Sequence, residues 1–329
     1  MKEIVIGDNE AGKKLHKLLE RVLCKAPKSF IYKMLRKKNI TLNGRKASGD
    51  EILKVSDTVK IFLSDETFLK MSVGEDMNQK KEVTSKKKIS TPDIDFKSRI
   101  IYEDADIIIA NKPKGVLSQQ AVADDISMNE LLVEYMKASG QIDDSQLVTF
   151  RPSFVNRLDR NTSGLMLAGK SYKGLRELSS IISDRSVSKY YLTVVSGNPK
   201  DKAKLHAYLK KDEKTNKVKV SRNNDGTFDE IITQYECIKR KGNVALLKVK
   251  LVTGKTHQIR AHLSFEGMPV IGDVKYGNKD VNEYYKKNYN IKSQMLHSYE
   301  IIFPDCELET VSGKSFKTKI PDEFKKITG

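Results

Sequence analysis

The sequence is poor in the features that mark many enzyme and compartment classes. Cysteine is scarce: Cys24, Cys237 and Cys306 are widely spaced, odd in number and never arranged as C-x-x-C. That spacing speaks against a disulfide framework and a cysteine zinc site. No stretch approaches the roughly 18 uncharged apolar residues that would span a bilayer. The opening Met1-Lys2-Glu3-Ile4-Val5-Ile6-Gly7-Asp8 lacks the apolar core of a signal peptide, so a soluble cytoplasmic protein is expected. Histidine is also sparse, and His257 and His262 stand five apart with no glutamate after His257. This does not fit the H-E-x-x-H arrangement, in which two ligands share one helical face. Neither a Walker-type glycine loop nor G-x-G-x-x-G is present, so no nucleotide cofactor is indicated. The chemistry is expected to use protein side chains alone, with no metal and no cofactor.

What the chain has in excess is positive charge. Sixty Lys and Arg face 43 Asp and Glu across 329 residues, a net +17. Such an excess suits a polyphosphate partner, because each neutralised phosphate releases counterions. The surplus lies at both ends, in residues 1–70 and 97–329, while 71–96 are balanced. The length suffices for two domains, the larger with a sizeable core.

Leu15, Leu18, Leu19, Val22 and Leu23 recur at spacings of three and four, which predicts an amphipathic helix over 13–24. A second helix is expected from Pro27 to Lys38, with proline in its first turn. Alternation at Ile40 and Leu42, the turn pair Asn43-Gly44, and later alternation at Val59, Ile61 and Leu63 predict a small hairpin sheet. Residues 71–96 combine lysines with Ser, Thr, Gln and Asn, the composition of a flexible linker. Beyond it, strands are expected at 106–110, 165–168, 190–196, 233–239 and 245–251, and helices at 172–183 and 257–265. Strands that follow one another through turns favour an α+β fold with a mostly antiparallel or mixed sheet.

Two runs carry the chemistry. In Arg157-Leu158-Asp159-Arg160-Asn161-Thr162-Ser163-Gly164, one carboxylate stands between two guanidiniums at a turn. Neighbouring cations favour the charged form of such a group, which leaves an anion available as nucleophile or base. The second run is Thr253-Gly254-Lys255-Thr256-His257-Gln258-Ile259-Arg260-Ala261-His262-Leu263, followed by Gly272, Asp273, Tyr276 and Gly277. Together they resemble the RluA-type pseudouridine synthases, with their H-R-L-D-x-x-T-S-G, G-R-T-H-Q-I-R-x-H-L and G-D-x-x-Y-G motifs. Asn111-Lys112-Pro113-Lys114-Gly115, then Lys189, Tyr191 and Gly197, and Leu296-His297 with Phe303 extend the likeness over most of 100–305. Asn156 departs from it, standing where the family usually has His.

The resemblance implies a pseudouridine synthase fold with a central bent sheet, and an isomerase acting on RNA without cofactor. Uracil would leave its ribose, turn while bound and rejoin through carbon 5. Asp159 would be the catalytic carboxylate, Tyr191 would lie against the uracil and handle a proton, and Arg260 would pair with Asp159. Attack on the sugar and formation of an elimination intermediate both stay open. Arg157, Arg160, Lys255 and His257 are candidates for RNA contact, with Arg157 able to fill the space of a flipped nucleotide.

Residues 13–63 resemble the small RNA-binding domain first seen in ribosomal small-subunit protein four. Lys33, Arg36, Lys37, Lys38, Arg45 and Lys46 are its candidate phosphate contacts. The expected division is thus 1–70 for RNA binding, 71–96 as linker and 97–329 for catalysis, in a monomer. Combining the two parts suggests 23S ribosomal RNA, with transfer RNA as the alternative. A non-catalytic RNA-binding protein and a glycosylase that releases uracil are the competing readings.

Overall fold

Apolar residues at helical spacing shape the beginning of the chain as expected. Helix α1 (Leu15–Val22) buries Leu15, Leu18, Leu19 and Val22, and α2 (Lys28–Arg36) buries Ile31, Met34 and Leu35. A fully buried leucine contributes about 1.5–3 kcal/mol relative to an exposed one. Pro27 caps α2 from outside, in extended conformation, and the helix ends earlier than the Lys38 expected. There Lys38 adopts φ 59°, while its N–H reaches Leu35 O at 3.1 Å and that of Asn39 reaches Met34 O at 2.9 Å. These two bonds are the Schellman termination, with lysine in the left-handed position that glycine usually fills.

A four-stranded sheet packs on these helices. Its strands are β1 (Lys2–Val5), β2 (Ile40–Leu42), β3 (Arg45–Lys46) and β4 (Thr58–Ile61), in the order β1-β4-β2-β3. Asn43 and Gly44 join β2 to β3 with φ 50° and 73°, the double positive φ that a tight hairpin requires. The candidate phosphate contacts Lys33, Arg36, Lys37, Lys38, Arg45 and Lys46 are all exposed. Helix α3 (Asp65–Ser72) follows.

The computed structural model describes residues 1–72, 94–122, 125–212 and 214–329. The expected linker therefore lies, from 73 to 93, outside the described residues. No described helix is long and apolar enough to cross a membrane. The chain forms two compact units. One comprises Met1–Asp95, Leu132–Ser153 and Ser171–Lys173, and the other comprises Phe96–Leu131, Phe154–Lys170 and Gly174–Gly329. Residues 132–153 thus gather with the N-terminal unit, whereas a linear division at 97 puts them in the catalytic part. Helix α4 (Met128–Ala138) runs into this segment and α5 (Asp144–Thr149) ends it. Arg21 donates to the carbonyls of Leu147 and Val148 at 3.1 and 3.2 Å, and Thr149 Oγ1 donates to Glu10 Oε1 at 2.6 Å.

The second unit is built on a large sheet. Its strands are β5 (Ile100–Glu103), β6 (Ile107–Lys112), β7 (Ser153–Phe154), β8 (Ser163–Gly169), β9 (Ser188–Ser196), β10 (Lys202–Asp212), β11 (Lys217–Ser221), β12 (Asp229–Lys241), β13 (Val244–Leu251), β14 (Leu296–Ile302) and β15 (Ser315–Lys317). The main path runs β11-β10-β12-β13-β9-β14-β8-β6-β5. Every neighbouring pair on it is antiparallel except β14 and β8, so the sheet is mixed as expected. Helix α6 (Tyr172–Ser183) buries Leu178 and Ile181 against one apolar cluster with Ile107, Leu165 and Leu167. Helices α7 (Gln258–Phe265), α8 (Lys279–Tyr289) and α9 (Asp322–Thr328) complete the unit.

The parallel contact explains the glycine near the start of β8. Gly164 pairs with Ser298 at φ 112°, and a Cβ there would meet the Ser298 carbonyl oxygen at 2.2 Å. Only glycine allows β14 this close to the strand leaving Asp159. Gly164→Ala is expected to lower stability by on the order of 3 kcal/mol, because strain and a backbone clash coincide. Gly242→Ala, where φ is 57° and nothing lies within 4 Å, is expected to cost only about 1 kcal/mol. Chemical denaturation of the two variants beside wild type checks the difference.

Candidate active site

The segment bearing Asp159 is fastened on both sides of it. Ser118 Oγ donates to Leu158 O at 2.8 Å and accepts from Leu158 N at 2.9 Å. Gly115 N donates to Arg160 O at 2.9 Å, and Arg160 Nε returns a bond to Gly115 O at 3.1 Å. Beneath them lies Lys112, fully buried, whose Nζ donates to the carbonyls of Val116, Arg160 and Pro113 at 2.7, 2.9 and 3.1 Å. Burial brings this lysine down to about 7, against the pull of the Asp159 charge. Lys112 therefore staples the Asn-Lys-Pro turn to the Asp159 loop. The sequence marks that turn without revealing this residue's part in the site.

Asp159 keeps a 26% exposed side chain and is held by one arginine. Arg260 Nη1 donates to Asp159 Oδ2 at 2.6 Å. Its Nε and Nη2 donate to Asp273 Oδ2 and Oδ1 at 2.6 and 2.8 Å, a two-pronged pair. Burial alone would raise the Asp273 carboxyl, but the Arg260 bonds and charge, with the N–H groups of Lys275 and Tyr276, hold it below the usual range. Asp273 thus aims Arg260, and Arg260 leaves Asp159 Oδ1 uncovered.

His257 stands by that oxygen, with Nε2 4.0 Å from Asp159 Oδ1. The residue sits before α7 at φ 53°, a left-handed conformation that costs on the order of 1 kcal/mol in a non-glycine residue. Its Nδ1 lies 2.9 Å from Tyr276 Oη, which accepts from Val218 N at 2.9 Å. Held at Nδ1 by this phenol, the ring turns its Nε2 edge toward Asp159. Burial, partly offset by Asp159, lowers His257 below the ordinary imidazole value. The adjacent Gln258 explains the rest of the motif. It accepts from Thr253 Oγ1 and Lys255 N at 2.9 and 3.1 Å and donates to Ile232 O at 3.0 Å.

Tyr191 lines the same cleft, of about 730 Å³, with Asp159, Arg157, His257 and Arg260. Burial pushes its phenol up to about 12, with a Ser298 hydrogen bond acting the other way and the Asp159 charge adding to the rise. Tyr190, its neighbour, instead lies under Lys248 and Lys250, 4.6 and 5.8 Å from the ring centroid. Arg157 and Arg160 are exposed at the rim. Lys255 pairs with Asp229 at 2.9 Å, so a phosphate there would have to compete with that carboxylate. The six N-terminal candidates belong to the other unit. Asn156 accepts from Leu167 N at 2.8 Å through Oδ1, a backbone-holding task that needs no imidazole.

Two further histidines shape the acid response. His297, bonded to Ser163 Oγ and Thr318 Oγ1 at 2.8 and 2.6 Å, is brought down to about 4 by burial. Burial does the same to His262, beside Thr233 Oγ1 at 3.0 Å. Their folded values lie below the 6.5 of a free ring, so the unfolded chain binds more protons between pH 6.5 and 4. Stability is therefore present above 6.5 and lost as pH falls toward 4. Asp273, also lowered, adds a loss beginning near the ordinary aspartate value of about 4. Urea midpoints measured from pH 8 to 3 are expected to fall in that order, with the first decline reduced in His297→Gln.

The chain is similar to known proteins in both sequence and fold. Residues 106–265 match the family described as RNA pseudouridylate synthase. The chain is 30% identical to the ribosomal large subunit pseudouridine synthase C of Rickettsia bellii, covering 98% of this chain and 100% of that protein. Its counterpart in Rickettsia felis is 32% identical, with 98% and 97% covered. The ribosomal large subunit pseudouridine synthase D of Borreliella burgdorferi is 28% identical, with 90% and 83% covered. Among solved structures, human RNA pseudouridylate synthase domain containing 4 superposes with a TM-score of 0.55 at 20% identity, over 70% of this chain and 91% of that one. This last likeness is one of fold.

Proposed function

The chain belongs to the RluA-type branch of the RNA pseudouridine synthases, and from that premise we propose that it modifies uridines of large-subunit ribosomal RNA with Asp159 as the reacting carboxylate. The observation that carries the site assignment is the asymmetric hold on Asp159, with Oδ2 bonded to Arg260 and Oδ1 beside the His257 ring. The names of the Rickettsia and Borreliella relatives support ribosomal RNA as substrate.

In this reading the target nucleotide leaves its stack and enters the cleft. Extrusion costs a few kcal/mol, which stacking and phosphate contacts must offset. Arg157 at the rim supplies a cation where the phosphate passes, and Tyr191 offers its ring to the uracil. The bond from uracil N1 to the ribose breaks, the ring turns, and carbon 5 takes its place on the sugar. Carbon 5 gives up a proton and N1 gains one, so atoms and charge balance without a cofactor. Tyr191 holds its proton at neutral pH and can take part in this exchange, while Arg260 stabilises the Asp159 carboxylate between steps.

The N-terminal unit acts here as an RNA anchor of the kind first seen in ribosomal small-subunit protein four. Its exposed Lys33, Arg36, Lys37, Lys38, Arg45 and Lys46 support that role. The reading takes the enzyme to be a cytoplasmic monomer.

Two experiments test the proposal. Pseudouridine mapping of ribosomal and transfer RNA in cells lacking the gene is expected to lose sites in large-subunit RNA that wild type restores and Asp159→Asn does not, although the variant still binds RNA. Restoration by Asp159→Asn would remove that carboxylate from the chemistry. Replacing Lys33, Arg36 and Lys37 by alanine is expected to flatten the dependence of log affinity on log salt by about 0.7–0.9 for each phosphate no longer neutralised. An unchanged slope would take the anchor away from this face.

A further inference from the structure

Helix α8 follows the Gly272–Gly277 loop and is tied to it by Asn282. The Asn282 Oδ1 accepts from Gly272 N at 2.7 Å, and its Nδ2 donates to Asp273 O at 2.9 Å. Val281 and Tyr285 pack against the apolar cluster around Leu192 and Met295, which seats the helix on the unit. Val274 and Lys275, a few residues before α8, line the active cleft.

The outer face of α8 combines rigid aromatic rings with lysines. Tyr284 and Tyr289 are 55% and 40% exposed. Both rings rest on Tyr285: Tyr284 meets it edge-on at 5.1 Å and 82°, and Tyr289 lies over it at 5.3 Å and 32°. Lys279, Lys286, Lys287 and Lys292 are exposed around them, and none of the four forms an ion pair among the described residues. The helix also carries Asp280 and Glu283, so lysines outnumber carboxylates over 279–292 by two.

We propose that this face is a second RNA-binding surface of the catalytic unit, on which unpaired bases of the strand flanking the modified nucleotide stack against Tyr284 and Tyr289. The proposal rests on the reading that the chain acts on RNA. Single-stranded nucleic acid is held by cations that follow its phosphates and by aromatic faces that accept any base. Both are present here, and Tyr285 fixes the rings so that little freedom is lost on binding. The Asn282 bridge and the short connection from Lys275 place this surface on the element that continues from the cleft's rim.

The test is fluorescence anisotropy of the full-length protein with a short labelled single-stranded uridine-rich RNA, together with sedimentation of each protein alone. Both tyrosines are exposed, so the Tyr284→Ala/Tyr289→Ala double variant is expected to fold. It should bind about tenfold or more weakly, while Tyr284→Phe/Tyr289→Phe keeps near wild-type affinity because the rings remain. Lys286→Ala/Lys287→Ala should reduce the salt slope by about 0.7 for each phosphate no longer neutralised. Wild-type affinity and slope in the alanine variants, with wild type binding RNA, would overturn this surface and leave the RNA reading intact. Failure of wild type to bind any RNA would overturn both. A change in sedimentation with RNA affinity unaltered would make α8 a contact between copies and overturn the proposal.

Discussion

The rest of the site depends on how Arg260 divides its hydrogen bonds. A guanidinium offers five donors in a fixed fork, and left alone beside a single carboxylate it tends to grip both oxygens. Asp273, wholly buried, occupies the Nε and Nη2 side of the fork. Only Nη1 is turned to Asp159, and it takes one oxygen. The second carboxylate is therefore not redundant: it limits what Arg260 can cover and so leaves the other Asp159 oxygen open. Lysine could not reproduce this, because its point charge carries no planar fork. Burying an arginine with Asp273 is costly in desolvation, and removing either member would strand a charge. The arrangement is better understood as a device for orientation than as a source of stability.

That device works only if three stretches distant in sequence arrive together, and the hydrogen-bonded backbone brings them. Lys112 and Ser118 hold the loop around Asp159. Thr253 and Gln258 hold the turn before α7, so that Arg260 points across the cleft. Asn282 bridges Gly272 and Asp273 from α8. Most of these fastenings bond a side chain to main chain, while Thr253 Oγ1 donates to the Gln258 side chain. Glycine completes the set where backbones nearly touch: at Gly272, with φ 78°, a Cβ would lie 2.2 Å from Ser293 O.

Much of this is legible in the sequence, for reasons that differ by residue. Asp159 stands out because its neighbours Arg157 and Arg160 are unusual around an acid, and the apolar stripes of α1, α2 and α6 read directly as helices. The Asn43-Gly44 turn is equally clear, because a two-residue hairpin needs positive φ twice. Strands β10 and β11 escape notice because their outward positions are mostly lysine, which hides the alternation of Ala207, Leu209 and Val218. Helix α8 escapes because its apolar side is short and tyrosine-rich. The gathering of 132–153 with the N-terminal unit depends on long-range bonds from Arg21 and Glu10 that no local pattern encodes. His257 reads in the sequence as an RNA contact, yet its left-handed backbone turns the ring toward Asp159, which spacing alone does not reveal. Lys112 looks like part of a turn, and its role emerges only from its three carbonyl partners.

The electrostatic setting of the cleft fits an isomerisation. Burial pushes Tyr191 up to about 12 and keeps His257 below its ordinary value, so both are neutral at neutral pH. His262 and His297, brought to about 4, are neutral as well. Near Asp159, Arg260 and Asp273 cancel each other within one two-pronged pair, while Arg157 and Arg160 add positive charge at the rim and burial brings Lys112 down to about 7. Converting uridine to its carbon-linked isomer consumes no net proton and no net charge, so nothing need be exchanged with solvent over the whole cycle. In the proposed reaction the carboxylate of Asp159 is the group whose bonding changes, and its Arg260 contact follows that change.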